Sequence, residues 1–377
     1  MSDGSRIEWT DATWSPVTGC TRVSPGCDHC YIERTPPFRM AGRRFLAVCG
    51  RCNGHGSADE GICPECRGKG TWPGDGTGSS TGVQLHPERL DQPLKWRKPR
   101  MIFVCSMADL FHDDVPEAYL VEVFARIAVS TRHVFQVLTK RPARMRALFK
   151  AERFVEAVAQ TAERVWQGPG WHHATSTQWP GWPLPNVWAG VSAENQTWAD
   201  RRIPILLDTP AAVRWVSAEP LLGPLDLGEH TGYLVPGPGC PCERDEPYCA
   251  PTLDWVVAGG ESGPNARPVH PDWIRGLRDQ CQATGVPFLF KQWGEWAPDG
   301  RSDEHGWHAN IPRTATDPRR LVIHTAGMTA MHPGNPFNPF ERGHPGWAMA
   351  MRRVGKKTAG RVLDGRTWDE YPLGGQR

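Results

Sequence analysis

Cysteine spacing is the feature of this chain that most directly indicates chemistry. Cys20, Cys27 and Cys30 form a C-x6-C-x2-C arrangement within TGCTRVSPGCDHCYIERT, residues 18–35. Three thiolates are too many for one disulfide and one too few for a closed zinc site. They can hold three irons of a [4Fe–4S] cluster and leave the fourth iron open to a small molecule. We interpret the stretch as an iron–sulfur loop, with zinc and His29 as a fourth ligand as the alternative.

A second cysteine pattern occupies residues 36–81, a loop-rich segment that we interpret as an insertion. It reads CGRCNGHG and CPECRGKG, a C-x2-C-x10-C-x2-C pattern formed by Cys49, Cys52, Cys63 and Cys66. Four thiolates in two knuckles match a closed tetrahedral zinc site, and the glycines permit the tight turns. Each half resembles the knuckles of the zinc-binding region of the DnaJ chaperones. We predict structural Zn2+ here.

A third cysteine group lies in a Pro-rich segment, residues 228–252. Cys240, Cys242 and Cys249 have the spacing C-x-C-x6-C, which suggests a second metal site without an obvious fourth ligand. C-x-C is less usual for zinc than C-x2-C, and a second iron–sulfur cluster is the alternative.

Short apolar runs alternate with helical patterns along the chain, and this order predicts a parallel α/β fold. We expect a TIM-barrel-like (β/α)6–8 barrel over residues 1–297 and an irregular C-terminal extension over 298–377. An open doubly wound sheet is the alternative, although no G-x-G-x-x-G opens a helix. The predicted strands lie in the segments 12–19, 82–86, 101–107, 133–140, 186–192, 212–220, 253–263 and 286–295, and the predicted helices span 115–132, 142–166 and 270–285.

Polar residues follow several of these strands, and in a barrel they would line one mouth. Glutamates recur there in VSAEN, VSAEP and GGESG, although a Glu after a strand often lies near a helix N-cap or in solvent. Lys140 and Arg141 could bind an anion or cap a helix. Our candidate cofactor-binding residues are Ser106, Lys140, Ser192, Glu194, Glu219, Gly259, Gly260 and Glu261. Our candidate catalytic residues are Cys105, Asp109 and Lys291, with a small core residue as the alternative for Cys105.

The composition of the chain limits where the protein can be located and which partners it can bind. The chain opens without a basic, apolar leader, and no stretch is long enough to cross a membrane. We therefore expect a cytoplasmic protein whose cysteines bind metal rather than form disulfides. Because the net charge is only +2, nucleic-acid contact would need local patches. KWRKPR at 95–100, MRRVGKK at 351–357 and many exposed-looking tryptophans fit such contact, while solvated loops and Trp packing are the alternative.

A strand, a three-cysteine loop and then a β/α barrel is the order found in the radical S-adenosylmethionine (SAM) superfamily. Its common spacing is C-x3-C-x2-C, whereas the first gap here is six residues. IEWTDATWSPVTGCTRVSPGCDHCY, RLDQPLKWRKPRMIFVCSMADLFHDDVP, WVSAEPLLGPL, VVAGGESGPNARP and GKKTAGRVLDGRTWDEYP strongly resemble the phage Gp37/Gp68 family, three-Cys-motif proteins of the DUF5131 type. The resemblance implies a radical-SAM-like fold with a [4Fe–4S] cluster and S-adenosylmethionine.

Two function hypotheses follow. The first is a radical SAM enzyme that forms a 5′-deoxyadenosyl radical, needs an external electron donor and modifies or repairs nucleic acid or a nucleotide. The second is a non-catalytic, metal-stapled phage protein that binds nucleic acid or protein. The substrate, the reaction and the oligomeric state are open at this point.

Overall fold

The structure is a computed structural model of the 377-residue chain. It describes residues 5, 7–43, 45, 57–58, 61–62, 80–167, 178–228, 251–298, 300–303, 306–309, 319–324, 329–330 and 348–372. The described residues form two compact units. The first draws on Met1–Arg6 and Thr10–Val187, and the second on Ile7–Trp9 and Trp188–Arg377.

The first unit is built on three parallel strands in the order β1-β6-β7. β2 and β5 pair antiparallel, as do β3 and β4. Its elements are β1 (Ala12–Trp14), β2 (Val17–Thr18), α1 (Pro36–Met40), β3 (Ser57–Ala58), β4 (Gly61–Ile62), β5 (Gln84–Leu85), β6 (Met101–Val104), α2 (Glu117–Val129), β7 (Val134–Thr139), α3 (Pro142–Lys150) and α4 (Glu152–Gln167).

Apolar patterning explains the helix packing in this unit. All four residues of β6 are buried, and α2 buries Leu120, Val123, Phe124 and Ile127 on the face that its periodicity predicts. α2 packs against α4. The single helix that we predicted over 142–166 is wrong, because Ala151 is extended (φ −82°, ψ 112°) and separates α3 from α4.

The second unit contains four parallel strands in the order β8-β9-β10-β11 and a four-stranded antiparallel sheet in the order β12-β17-β15-β16. β13 and β14 pair as a separate antiparallel ladder. The elements are β8 (Val187–Ser192), α5 (Gln196–Leu207), β9 (Val213–Ala218), β10 (Trp255–Gly259), α6 (Pro271–Thr284), β11 (Phe288–Gln292), β12 (Trp296–Pro298), β13 (Gly300–Asp303), β14 (Gly306–Ala309), β15 (Arg320–His324), β16 (Thr329–Ala330), β17 (Ala348–Arg353) and α7 (Lys356–Ala359).

In the second unit, local residues cap the helix α6, and the C-terminal segment pairs with the edge strand β11. The N-cap of α6 is His270, whose side chain accepts from the Asp272 N–H, and Gly285 ends the helix at φ 69°. Residues 360–370 run beside β11, where the Phe290 N–H donates to the Trp368 carbonyl at 3.0 Å. The second unit therefore covers the outer edge of its parallel strands.

The predicted parallel α/β order is confirmed for the strands near 101, 133, 186, 212, 253 and 286. The strand predicted at 82–86 is only the two-residue β5, which pairs antiparallel with β2. The extension that we expected to be irregular carries β15, β16 and β17 of an antiparallel sheet, so that expectation was wrong. A closed barrel stays a prediction.

Tryptophan packing corrects another expectation. Of the tryptophans that looked exposed in the sequence, the side chains of Trp9, Trp14, Trp188, Trp215, Trp255, Trp273, Trp293 and Trp296 are buried. In the second unit the rings of Trp215 and Trp255 lie 5.3 Å apart. These side chains stabilise the core, and they are not available for stacking on bases. None of the helices in the described ranges is both long and apolar enough to cross a membrane.

Candidate functional site

Cys20 follows β2 and is held through its own backbone. The Gly19 N–H donates to the Met107 carbonyl at 2.9 Å, which ties the loop to the segment after β6. The Cys20 N–H donates to Thr81 Oγ1 at 3.0 Å, and the Thr81 N–H returns a bond to the Cys20 carbonyl at 3.0 Å. Thr81 closes the predicted zinc insertion, so the end of that insertion fixes the first cysteine of the loop.

The beginning of the same insertion also lies beside Cys20, where Arg43 contacts the residues that end the insertion. The Arg43 guanidinium donates from Nη2 to the Thr81 carbonyl at 2.9 Å and to the Gly82 carbonyl at 2.5 Å. Its charge also lies over the Phe38 ring, 4.6 Å from the centroid. Both described ends of the insertion are therefore joined beside Cys20.

The C-x2-C part of the loop is shaped by a single turn of 3-10 helix, Pro25–Cys27. The Cys27 N–H donates to the Ser24 carbonyl at 2.8 Å, and the Cys30 N–H donates to the Cys27 carbonyl at 3.2 Å. Tyr31 is half exposed, and its hydroxyl donates to the Ser106 carbonyl after β6. The predicted cofactor residue Ser106 thus contributes its backbone to the loop.

The three loop thiols lie close enough to affect one another electrostatically. Burial is the main cause that raises the pKa of Cys20 to about 12, the Asp109 carboxylate adds to it and Arg141 opposes it, while Cys27 and Cys30 raise it further. Burial is also the main cause that raises the pKa of the Cys30 thiol, and Cys27 adds to it. The cations of Lys140 and Arg22 act in the opposite direction on that pKa. All five described cysteines are free thiols, namely Cys20, Cys27, Cys30, Cys105 and Cys281.

Asp109 is the centre of a hydrogen-bond network beside Cys20. Its side chain is 7% exposed and accepts from Thr139 Oγ1 at 2.7 Å and from the Lys140 N–H at 2.9 Å. Arg141 Nη1 donates to Asp109 Oδ2 at 3.2 Å. Asp109 itself lies on the loop after β6, and these three partners lie at the carboxyl end of β7. The carboxylate therefore joins two neighbouring strand ends, which is typical of a positioning group.

Arg141 connects that network to the cysteine loop. Its Nη1 donates to the Cys20 sulfur at 3.9 Å, and its Nη2 donates to the Thr21 carbonyl at 3.2 Å. The Arg141 N–H also donates to Thr139 Oγ1 at 2.8 Å. The sequence indicated that Arg141 binds an anion or caps a helix, and it does pair with the Asp109 carboxylate and is the N-cap residue of α3. Its contacts with the Thr21 carbonyl and the Cys20 sulfur were not predicted.

Cys105 lies at the end of β6 in a left-handed backbone conformation, φ 60°. Its N–H donates to the Trp14 carbonyl at 2.8 Å, and its side chain is 3% exposed. Burial raises the pKa of its thiol to about 12. These observations favour the small core residue over the predicted hydrogen donor.

In the second unit, Glu194 is committed to a buried ion pair. Glu194 Oε2 accepts from Arg202 Nη1 at 2.9 Å, and the two side chains are 0% and 2% exposed. The same Nη1 donates to the Ser192 carbonyl at 2.8 Å. Arg202 was missed by the sequence reasoning, since WADRRIP gives no sign of which arginine turns inward. A cofactor contact of Ser192 or Glu194 stays a prediction.

A second pair lies across the carboxyl ends of β9 and β11. Lys291 Nζ is 2.9 Å from Glu219 Oε1, and Ser217 Oγ donates to Glu219 Oε2 at 3.2 Å. Gly259, at the end of β10, leaves room for this carboxylate, because a Cβ there would lie 2.9 Å from Glu219 Oε1. Three of our predicted residues are thus brought together.

GGESG is held by close backbone packing. A Cβ on Gly260 would lie 1.9 Å from the Trp293 carbonyl oxygen, so this glycine is required by the approach of the chain itself. Glu261 pairs with Arg267, whose Nη2 lies 2.6 Å from Oε1 and whose Nε lies 2.9 Å from Oε2. Arg267 is a further residue that the sequence reasoning missed, six positions away in a Pro/Gly-rich loop.

Metal ligation remains a prediction at all three cysteine groups. Within the described ranges, no three His, Cys, Asp or Glu side chains lie together in a way that could hold a metal ion. The predicted zinc ligands Cys49, Cys52, Cys63 and Cys66 and the third group, Cys240, Cys242 and Cys249, lie outside the described residues.

Comparison with known proteins identifies the family. A family described as "Protein of unknown function (DUF5131)" matches residues 4–372, nearly the whole chain. No curated protein and no solved structure matches it. The match covers the cysteine loop, both sets of strand ends and the C-terminal segment, and the chain therefore belongs to the DUF5131 family.

Proposed function

We propose that this chain is a radical SAM enzyme whose [4Fe–4S] cluster is held by Cys20, Cys27 and Cys30. The fourth iron would bind S-adenosylmethionine. With one electron from an external donor, this pair would supply reductive cleavage of the carbon–sulfur bond to methionine and a 5′-deoxyadenosyl radical. The family resemblance to phage Gp37/Gp68 proteins supports the same assignment. If the gene is phage-borne, the enzyme would act in the host cytoplasm.

The observation that carries the proposal is the electrostatic setting of the three thiols. Cys27 and Cys30 both raise the pKa of Cys20, and Cys27 also raises the pKa of Cys30, so three negative charges together would be unstable without compensation. Arg22, Lys140 and Arg141 provide positive charge at this point. Iron that replaces the three protons would add the remaining compensation, because thiols bind metal as thiolates. These nearby cations support the proposal that Cys20, Cys27 and Cys30 hold a cluster.

The chain's own residues then have definite tasks. Thr81 and Gly19 hold the Cys20 backbone, and Tyr31 ties the loop to Ser106. Asp109 and Arg141 orient the side of the loop that bears Cys20.

In the second unit, the cofactor and substrate contacts that we propose lie at the strand ends. The Glu219–Lys291 pair presents a carboxylate and an ammonium that are 11% and 19% exposed. Such groups suit the hydroxyl, amino and carboxylate groups of a nucleoside–amino acid ligand. Gly259 leaves room for the carboxylate of this pair, because a Cβ there would lie 2.9 Å from Glu219 Oε1.

We propose a nucleic acid or nucleotide as the substrate. The support is the segment 95–100, in which Lys95, Arg97 and Lys98 are exposed. Trp96 is part of this segment and has the Arg100 guanidinium 5.0 Å from its ring centroid. Exposed cations beside an aromatic ring suit phosphates and bases.

Anaerobic reconstitution tests the proposal. Protein purified without oxygen and supplied with iron and sulfide should become brown and, after reduction, convert S-adenosylmethionine to 5′-deoxyadenosine. Candidate single-stranded DNA, RNA and nucleotides should then be compared for stimulation of that product. A colourless protein that retains zinc and takes up no iron would refute the enzyme and support a metal-stapled binding protein.

A further inference from the structure

Arg141 stands out because it joins a cysteine of the candidate cluster to a buried carboxylate. Its Nη1 lies 3.9 Å from the Cys20 sulfur and 3.2 Å from Asp109 Oδ2, so one N–H-bearing nitrogen is shared between them. Nη2 and the backbone N–H are engaged by Thr21 and Thr139. The guanidinium is thus fixed at the sulfur rather than left to move in solvent.

Burial makes this contact electrostatically important. The side chains of Arg141 and Asp109 are only 11% and 7% exposed. Charges in such surroundings interact more strongly than charges in water. Hydrogen bonds to the sulfurs and local net charge are the main protein factors that set the potential of an iron–sulfur cluster.

We propose that Arg141 is a positioning residue that raises the reduction potential of the cluster through its hydrogen bond to Cys20, and that Asp109 limits this effect; the inference rests on the proposed function. Reduction adds one negative charge to the cluster. Positive charge and an N–H donor at Cys20 stabilise the reduced form, whereas the Asp109 carboxylate destabilises it. The two residues therefore act in opposite directions on one equilibrium.

Redox titration of the reconstituted protein tests this, with the reduced cluster followed by electron paramagnetic resonance. Arg141→Gln should shift the midpoint potential to more negative values, and Asp109→Asn should shift it to more positive values. Arg141→Lys keeps the charge and loses the forked donor, so its shift should be smaller than that of Arg141→Gln. Arg144→Gln is the matched control, because Arg144 Nη2 donates to the Val115 carbonyl at 2.5 Å and its Nη1 donates to the His112 carbonyl. Its potential should equal that of the wild type.

The outcomes separate this inference from the proposed function. A wild-type protein that takes up no cluster refutes the function itself. A wild-type cluster with unchanged potentials in Arg141→Gln and Asp109→Asn overturns the inference alone. Shifts in the same direction in both variants also overturn it, since a general loosening of the loop would act that way. Loss of the cluster from both folded Arg141 variants would assign Arg141 to cluster assembly instead and would likewise overturn it.

Discussion

Gly19 and Gly82 approach so closely that a Cβ on Gly19 would lie 1.7 Å from the Gly82 carbonyl oxygen. Gly19 also has φ 93°, a backbone conformation that residues other than glycine rarely adopt. The residue directly before Cys20 is therefore glycine for two independent reasons. This contact places the first cysteine of the loop against the end of the insertion.

Gly19→Ala should destabilise the first unit and displace Cys20. The clash and the strained φ together should cost about 3 kcal/mol in the free energy of unfolding, measured by urea denaturation. Iron uptake should fall with it. Gly42→Ala is the matched control, because Gly42 has φ 64° but a Cβ added there would meet nothing within 4 Å, so it should cost only about 1 kcal/mol. Equal costs would show that the Gly82 contact is unimportant.

Cys27→Ala should abolish iron binding and leave zinc in place. The cluster needs three thiolates, each bound to one iron, and the variant retains only two of them. The predicted zinc ligands Cys49, Cys52, Cys63 and Cys66 are separate residues and are unchanged. Metal analysis of both elements in one sample measures this. Cys281→Ala, which removes a buried thiol of α6, should retain both metals. Loss of zinc together with iron would show that the two sites are not independent.

Arg202→Leu should strongly destabilise the second unit. It leaves Glu194, which is fully buried, without its guanidinium, and an uncompensated buried charge costs about 3–5 kcal/mol. Thermal and urea unfolding measure the change. Arg153→Leu is the control, since Arg153 pairs with Glu117 while 76% exposed and should alter stability by less than about 1 kcal/mol. A similarly small effect at Arg202 would contradict the buried ion pair.

His133 should make stability depend on pH below neutrality. Burial is the main cause that lowers its pKa to about 4, whereas an unfolded histidine titrates near 6.5. Between these pH values the unfolded chain binds a proton at this histidine and the folded chain does not. The contribution of neutral His133 to the free energy of unfolding is therefore fully present above about pH 6.5 and is lost as the pH falls towards 4. The loss at pH 4.5 should be about 2 kcal/mol.

His133→Gln isolates this effect. The variant lacks the titrating ring, although it also loses the 3.2 Å contact of Nε2 with the Pro93 carbonyl. The unfolding free energy of the wild type minus that of the variant should therefore fall by about 2 kcal/mol between pH 7 and pH 4.5. A difference that stays constant over this range would refute the assignment.

Nucleic-acid binding should depend on the exposed cations of the 95–100 segment. Replacing Lys95, Arg97 and Lys98 by Ala should weaken binding to single-stranded DNA and reduce the slope of log K against log salt by about 2. Fluorescence anisotropy at several salt concentrations measures both quantities. The control replaces three basic residues of α3 and α4, Lys150, Arg153 and Arg164. Equal losses in the two triple variants would indicate nonspecific charge attraction.

Local patterns in the sequence were sufficient for the parallel α/β order and for the positions of the parallel strands. Buried strands such as β6 and β10 are short continuous apolar runs, and α2 shows its buried face in its periodicity. Cysteine spacing likewise singles out the loop at 18–35, because ligands of one site often lie close together in the chain. These are properties of neighbouring residues, and a single sequence displays them.

Tertiary structure decided which distant residues support that loop. Arg141 lies 121 positions from Cys20, and Thr81 lies 61 positions from it, yet both bond to it directly. The inward turn of Arg202 and the break at Ala151 were also invisible in the sequence. Such contacts depend on how strands and loops are brought together in space, and no spacing rule connects residues so far apart. The sequence by itself determined the thiols and the strands, and the folded chain determined the charges placed around them.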